Sequence, residues 1–238
     1  MTQGLSQRRL LLISNSFCFG RGYLEHCAQY IKEFLGGVTK ILFIPYALKD
    51  WDKYLATARE GFGKMGIEAI GIQSYGNPVE ALGWYSVVFV GDGNTFRLLK
   101  TLYDKNMMSA INSLVASGSL SYLGASAGAN IAGPTIMTTN DMPIVFPETF
   151  VGLGLIPFQI NPHFIDADPT SKHMGETWEK RLAEFHEEND STIIGMREGS
   201  WITVENGTAN LHGTTGAKLF IKGQPPKEWD GQPLALWP

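Results

Sequence analysis

The sequence predicts an α/β fold: a doubly wound, mostly parallel sheet with helices on both faces, followed by C-terminal antiparallel hairpins. Three observations predict it. Short, unbroken apolar runs such as Arg9–Ser14 (RLLLIS) and Ser86–Val90 (SVVFV) read as central strands covered on both faces. These runs alternate with amphipathic helical patterns through the first half of the chain. Near the end, Asn206-Gly207 separates two short alternating segments, which is a hairpin turn signal. No internal repeat, low-complexity tract or long linker interrupts the pattern, so residues 1–238 read as a single domain.

Arg9–Ser14 is the first strand. Tyr23–Leu35 carries helical spacing and stops at Gly36-Gly37. Lys40–Ala47 (KILFIPYA) is the second strand. Asp50 is placed to cap a helix whose Trp51, Tyr54, Leu55, Ala58, Phe62 and Met65 share one face, with Gly66 at its end. That aromatic stripe reads as core. Ile67–Gln73 is the third strand, Pro78–Leu82 a helical turn and Ser86–Val90 the fourth strand. Gly91-Asp92-Gly93-Asn94 then leads into one long helix reaching about Ala116, and Ser119–Ala125 is the fifth strand. Beyond residue 133 lie a polar loop (138–143), an apolar segment ending at Asn161-Pro162-His163-Phe164, and a charged helix from Ser171. A strand at Ile193–Met196 follows, then short antiparallel strands at Trp201–Val204, Thr208–Leu211 and Lys218–Ile221.

Composition bounds the function. The 238 residues are 44% hydrophobic and 18% charged, enough for a substantial core. The net charge of −4 is spread along the chain without a basic cluster, which argues against nucleic acid. No stretch reaches the roughly 18 apolar residues of a membrane span, and the N-terminus lacks a signal-peptide pattern. The two cysteines, Cys18 and Cys27, read as reduced thiols, and these features together point to a cytoplasmic protein. No Rossmann or Walker A glycine pattern follows a strand, which disfavours nucleotide binding, and no cofactor is expected.

The chemistry centres on Leu120–Gly133 (LSYLGASAGANIAG). Gly124-Ala-Ser126-Ala-Gly128 is the G-x-S-x-G pattern of a nucleophile elbow, where a sharp strand–helix turn exposes a serine and tolerates only small neighbours. The pattern alone fits a capping serine equally well. A nucleophilic serine needs a base and a group that orients the base. Of the five histidines, His173 and His186 read as solvated positions on the charged helix, His26 lies near the first helix and His212 in a hairpin. His163 ends an apolar strand behind a proline and is placed to reach over a sheet edge. Glu198 lies beyond a strand end read as the same sheet edge; Asp141 lies in a loop nearer the serine. Asp166 and Asp168 read equally well as helix caps.

The segments GASAGAN (124–130), NPHF (161–164), GDGNTFRLLK (91–100), GET (175–177) and EGSWI (198–202) together resemble the aspartyl dipeptidase family, also called peptidase E, over nearly the whole chain. The resemblance implies a fold related to class I glutamine amidotransferase domains and a metal-free serine hydrolase that removes N-terminal aspartate from short peptides. It implies Ser126 as nucleophile, His163 as base, and either Glu198 or Asp141 as the acid. It implies an oxyanion hole from Ala127 and the Gly91–Gly93 loop; Asn94, Asn161 and Arg197 are the candidate substrate-binding residues. The expected partner is a small peptide with N-terminal aspartate; a homodimer stays open. Two positions depart from the family pattern. Asp92 stands where a glycine is usual, and Trp178 where an arginine is usual, leaving Arg197 or Arg181 as the cation for the substrate side chain. A serine hydrolase of other specificity (an esterase, or a polyaspartate-cleaving relative) and a non-catalytic amidotransferase-like binding module are the competing readings.

Overall fold

The computed structural model describes residues 7–172 and 174–235. In chain order the elements are β1 (Leu10–Ile13), α1 (Ala28–Leu35), β2 (Lys40–Ile44), α2 (Trp51–Lys64), β3 (Glu68–Gly71), α3 (Pro78–Leu82) and β4 (Val87–Val90). Then come α4 (Thr95–Asp104), α5 (Met108–Ala116), β5 (Ser121–Ala125), α6 (Ala127–Asn130), β6 (Gln159–Asn161), α7 (Trp178–Glu188) and β7 (Ile193–Met196). The chain closes with β8 (Ser200–Glu205), β9 (Thr208–Gly213), β10 (Ala217–Phe220), β11 (Lys227–Trp229) and β12 (Leu234–Ala235).

The main sheet has the order β12-β9-β8-β1-β5-β4-β2-β3. Its five strands from β3 to β1 are parallel, and β8, β9 and β12 extend it antiparallel from β1. Every residue of β1 and β4 is buried. Alternate residues feed opposite faces: Leu10, Leu12, Val88 and Val90 pack in one core, Leu11, Ile13, Val87 and Phe89 in the other. Two buried faces are the reason these strands are continuously apolar rather than alternating.

Four expectations need correction. The helix expected from Asn94 to Ala116 is two helices, because Asn106 adopts a left-handed φ of 55° between α4 and α5. The first helix begins later than Tyr23: Leu24 at φ 57° precedes a single 3-10 turn, and α1 starts at Ala28. The charged helix starts at Trp178, capped by the Thr177 hydroxyl, and not at Ser171. Most consequentially, β7 is not in the main sheet. It belongs to a second sheet of order β11-β10-β7-β6, in which β6 and β7 run parallel. A four-residue apolar run such as IIGM suits any buried strand, and which sheet receives it is decided by long-range packing.

The hairpin prediction holds in detail. Asn206 and Gly207 both have positive φ, as a two-residue turn matched to strand twist requires, and β8 pairs with β9 from Glu205↔Thr208 outward. Both cysteines are free; Cys27 is buried and burial pushes its thiol up to about 12. Among the described residues no helix is long and apolar enough to cross a membrane.

Candidate active site

Three strand ends converge on one point. At the carboxyl end of β5, the chain turns within one residue into α6, and Ser126 at the turn has φ 50° and ψ −105°. A non-glycine residue held there carries strain of roughly 1–3 kcal/mol. The surrounding packing enforces it. A Cβ on Gly124 would lie 2.3 Å from the Gly128 carbonyl oxygen, and one on Gly128 would lie 2.2 Å from that of Val90. The two glycines of the motif are therefore required by backbone-to-backbone contact, and the Ser126 N–H is tied to the Ile13 carbonyl at 2.9 Å.

His163 and Glu198 come from the second sheet. Asn161 of β6 pairs with Gly195 of β7, so the residues just past both strand ends leave the same edge side by side. His163 Nδ1 lies 2.8 Å from Glu198 Oε1, and His163 Nε2 lies 2.9 Å from Ser126 Oγ. A carboxylate only accepts, so Nδ1 carries the proton and Nε2 accepts from the serine hydroxyl. His163 also has a positive φ, 54°. Ser126 is almost fully buried, whereas the side chains of His163 and Glu198 are 41% and 55% exposed. The hydroxyl is thus sheltered, while the imidazole and carboxylate are open to solvent.

The profile of Peptidase family S51 matches residues 10–212 of this chain. The chain belongs to peptidase family S51. Similar proteins include peptidase E of Streptomyces coelicolor, 50% identical over 219 residues that make up 92% of this chain and 90% of that protein. A probable alpha-aspartyl dipeptidase of Drosophila melanogaster is 42% identical over 217 residues, 90% of each chain. Among solved structures, a peptidase from an acI-B1 actinobacterium matches with a TM-score of 0.72 at 19% identity, covering 98% of both chains. A putative peptidase E from Listeria monocytogenes matches with a TM-score of 0.66 at 21% identity, covering 87% of this chain and 99% of that one. At such identities the two structures speak for the fold.

In this S51 chain the other carboxylate proposed for the histidine is engaged elsewhere. Asp141 accepts from the Thr95 N–H at 2.7 Å and the Thr95 hydroxyl at 2.6 Å, bracing the start of α4. The glycine loop also divides its labour. The Gly91 N–H donates to the Ile44 carbonyl, the Asp92 N–H to the Tyr54 hydroxyl and the Asn94 N–H to the Ala47 carbonyl. Gly91 is therefore corrected as an oxyanion donor, its N–H being spent in the sheet. Gly93 keeps an N–H without an acceptor among the described residues, and its φ of 129° excludes a side chain. Ala127, first residue of α6, likewise carries one of the N–H groups that a helix start leaves unpaired.

The expected substrate residues fare differently. Asn94 caps α4 through Oδ1 to the Arg97 N–H and donates through Nδ2 to the Met142 carbonyl, so both ends of its amide are used inside the chain. Asn161 is buried and donates to the Thr138 carbonyl and Asn140 Oδ1, which fixes the approach to His163. Arg197 is bidentate to both Asp166 and Glu228, and Lys218 pairs with Asp166 and Glu179. Arg197 is thus a structural cation that ties the loop after His163 to β11. Trp178 packs beside the small core of Phe164, Leu182, Ile193 and Phe220, and Arg181 stacks on its ring at 4.7 Å. Asp168 accepts from Thr170. Of the remaining histidines, His186 is half-buried and donates to the Ser191 carbonyl, contrary to a solvated position, and His212 contacts Tyr30 and Thr203. His173 lies outside the described residues. Among the described residues no group of three or more His, Cys, Asp or Glu is placed to hold a metal ion.

The Asp166 network has a measurable signature. Hydrogen bonding from Arg197 holds the Asp166 carboxyl down at about 2, below the usual aspartate value of about 3.9. A carboxyl lowered on folding contributes stability above its unfolded pKa and loses it as pH falls through the folded one. The urea midpoint is expected to fall between about pH 4 and pH 2, and Asp166→Asn to lower it at neutral pH and flatten that acid fall. An identical acid slope in the variant would contradict the assignment.

Two positioning residues escaped the sequence reading. Ser14, fully buried past the end of β1, donates to the Met196 carbonyl at 2.9 Å and accepts the His163 N–H at 3.0 Å, clasping the two sheets together. Asn15 accepts the Gly199 N–H at 2.8 Å, which holds the turn carrying Glu198. The signal was present: Ser14-Asn15-Ser16 is a polar triplet at the carboxyl end of a buried parallel strand, where α/β sheets build their sites.

Proposed function

We propose that this chain is a serine dipeptidase that hydrolyses Asp-Xaa dipeptides through an acyl-enzyme on Ser126. The observation that carries the proposal is the continuous hydrogen-bonded series Ser126–His163–Glu198 in a member of a peptidase family. Relatives named peptidase E and probable alpha-aspartyl dipeptidase supply the substrate class.

In this reading His163 Nε2 takes the Ser126 proton as the hydroxyl oxygen attacks the scissile carbonyl. Glu198 orients the imidazole and balances the charge it acquires. The N–H groups of Ala127 and Gly93 receive the developing oxyanion, each contributing about 3 kcal/mol to lowering the barrier. His163 then protonates the leaving amine and activates the water that releases aspartate. Glu198 is assigned as the acid, and not Asp141, on the 2.8 Å contact with Nδ1 and on the commitment of Asp141 to Thr95. The free thiols suit a cytoplasmic setting.

A panel of Asp-Leu, Glu-Leu, Asn-Leu and a simple acyl ester tests the substrate class. Asp-Leu is expected to exceed Asn-Leu in kcat/KM by about 100-fold, the discrimination that a site pairing the side-chain carboxylate of the substrate would give. Turnover of the ester with none of the dipeptides would replace the proposal with an esterase.

A further inference from the structure

A dipeptide such as Asp-Leu brings an ammonium and two carboxylates to the site, and none of the three has a partner among the residues named so far. Asp92 supplies the matching chemistry for the ammonium. It stands between Gly91, closed into the sheet, and Gly93, whose N–H is unpaired. Its position is fixed from below by Tyr54 on α2. The Tyr54 hydroxyl takes the Asp92 N–H at 2.7 Å and donates to Asp92 Oδ1, while the Tyr23 hydroxyl donates to Tyr54 at 3.1 Å. Gly91 is glycine because a Cβ there would meet the Tyr54 hydroxyl at 2.4 Å. The result is a half-buried carboxylate, held by a rigid phenol pair, that forms no ion pair among the described residues.

A carboxylate needed only to hold Tyr54 could be an amide, which keeps an acceptor without the charge. Partial burial of an uncompensated charge is unfavourable, and burial indeed raises the Asp92 carboxyl. The Ser16 hydroxyl, its own backbone and the nearby His163 offset this in part. The charge therefore lies within electrostatic reach of the imidazole that serves Ser126. It also lies one residue from the Gly93 N–H, on the loop that would face the scissile carbonyl oxygen. The α-nitrogen of the substrate is attached to the carbon next to that carbonyl, which brings it within reach of a side chain on the loop beside the oxyanion donors.

We infer that Asp92 receives the N-terminal ammonium of the substrate and so restricts the enzyme to peptides with a free amino end. This rests on the dipeptidase reading above and deepens it. Asp92 acts here as a specificity residue: it is committed to Tyr54 and moves no proton in the reaction.

The test compares Asp-Leu with succinyl-Leu, which is the same molecule with hydrogen in place of the ammonium. The wild type is expected to favour Asp-Leu by about 10- to 100-fold in kcat/KM, the range of a charge-assisted hydrogen bond. Asp92→Asn should lose most of that advantage, chiefly through a raised KM for Asp-Leu, so that the ratio of kcat/KM for Asp-Leu to that for succinyl-Leu falls towards one. Asp92→Gly, which needs no side-chain space, serves as the second variant, with the urea midpoint of each read alongside. Equal use of both compounds by the wild type, or an unchanged preference in a folded variant, overturns the role of Asp92. Failure of the wild type to cleave Asp-Leu at all instead removes the dipeptidase reading.

Discussion

Ser126→Ala is expected to lower kcat on Asp-Leu by about 10⁴- to 10⁶-fold, a loss of roughly 5–8 kcal/mol of transition-state stabilisation. The residual rate would come from the oxyanion donors and from binding, which the variant retains. Folding should be untouched. The hydroxyl makes one hydrogen bond, to His163 Nε2, and the His163 side chain is open enough for water to replace it. Alanine also keeps the left-handed φ of 50°. A second variant separates strain from chemistry. Ser126→Gly should be equally inactive yet more stable by about 1 kcal/mol, because glycine adopts that backbone freely while giving back part of the gain as unfolded-state entropy. The measurements are steady-state turnover, covalent labelling by a fluorophosphonate and urea unfolding. Alanine-variant activity within tenfold of the wild type, or a glycine variant less stable than the alanine one, would contradict the elbow.

How far the sequence reached follows from which interactions are local. The strands of the parallel half were legible because two buried faces write themselves as unbroken apolar runs: LLLI, KILFI and VVFV are all read directly. The caps of Asp50 and the Asn206-Gly207 turn were legible because each is settled within a few residues. The tight strand–helix turn at Ser126 was legible because the glycines at 124 and 128 answer a clash with backbone close by in the sequence or in the adjacent strand. The failures are all non-local. Nothing within Ile193–Met196 says that it pairs with β6 and β10 rather than with the main sheet. That Asp166 and Glu228 converge on Arg197 from 31 residues away on either side could not be read from the residues around it. Asn94 and Gly91 sit in the right loop, but their hydrogen-bonding groups are consumed by α4, the 142 carbonyl and Ile44. The motif located the turn; the accounting of donors and acceptors shows which groups around it are already paired within the chain.

Glu198→Gln and Asp141→Asn are expected to part company, and the difference measures which carboxylate stands behind the imidazole. An amide at 198 can present its NH₂ to Nδ1 and hold the wrong tautomer, with the proton on Nε2, where it can no longer accept from Ser126. In a buried triad such a change costs about 10⁴-fold. Here the Glu198 side chain is 55% exposed, so water competes for Nδ1 and screens the charge, and the expected loss in kcat is smaller, about 10²- to 10³-fold with KM little changed. Asp141→Asn removes a charge-assisted acceptor from the Thr95 N–H and hydroxyl. It should lower stability by about 1 kcal/mol, as loss of a helix-start anion does, and leave kcat within about threefold. Parallel kinetics and urea unfolding on both variants distinguish the two roles without reference to any substrate contact, since neither carboxylate is asked to touch the peptide. The opposite pattern, with turnover lost at 141 and stability lost at 198, would mean that the loop carrying Asp141 swings onto His163 when the dipeptide binds.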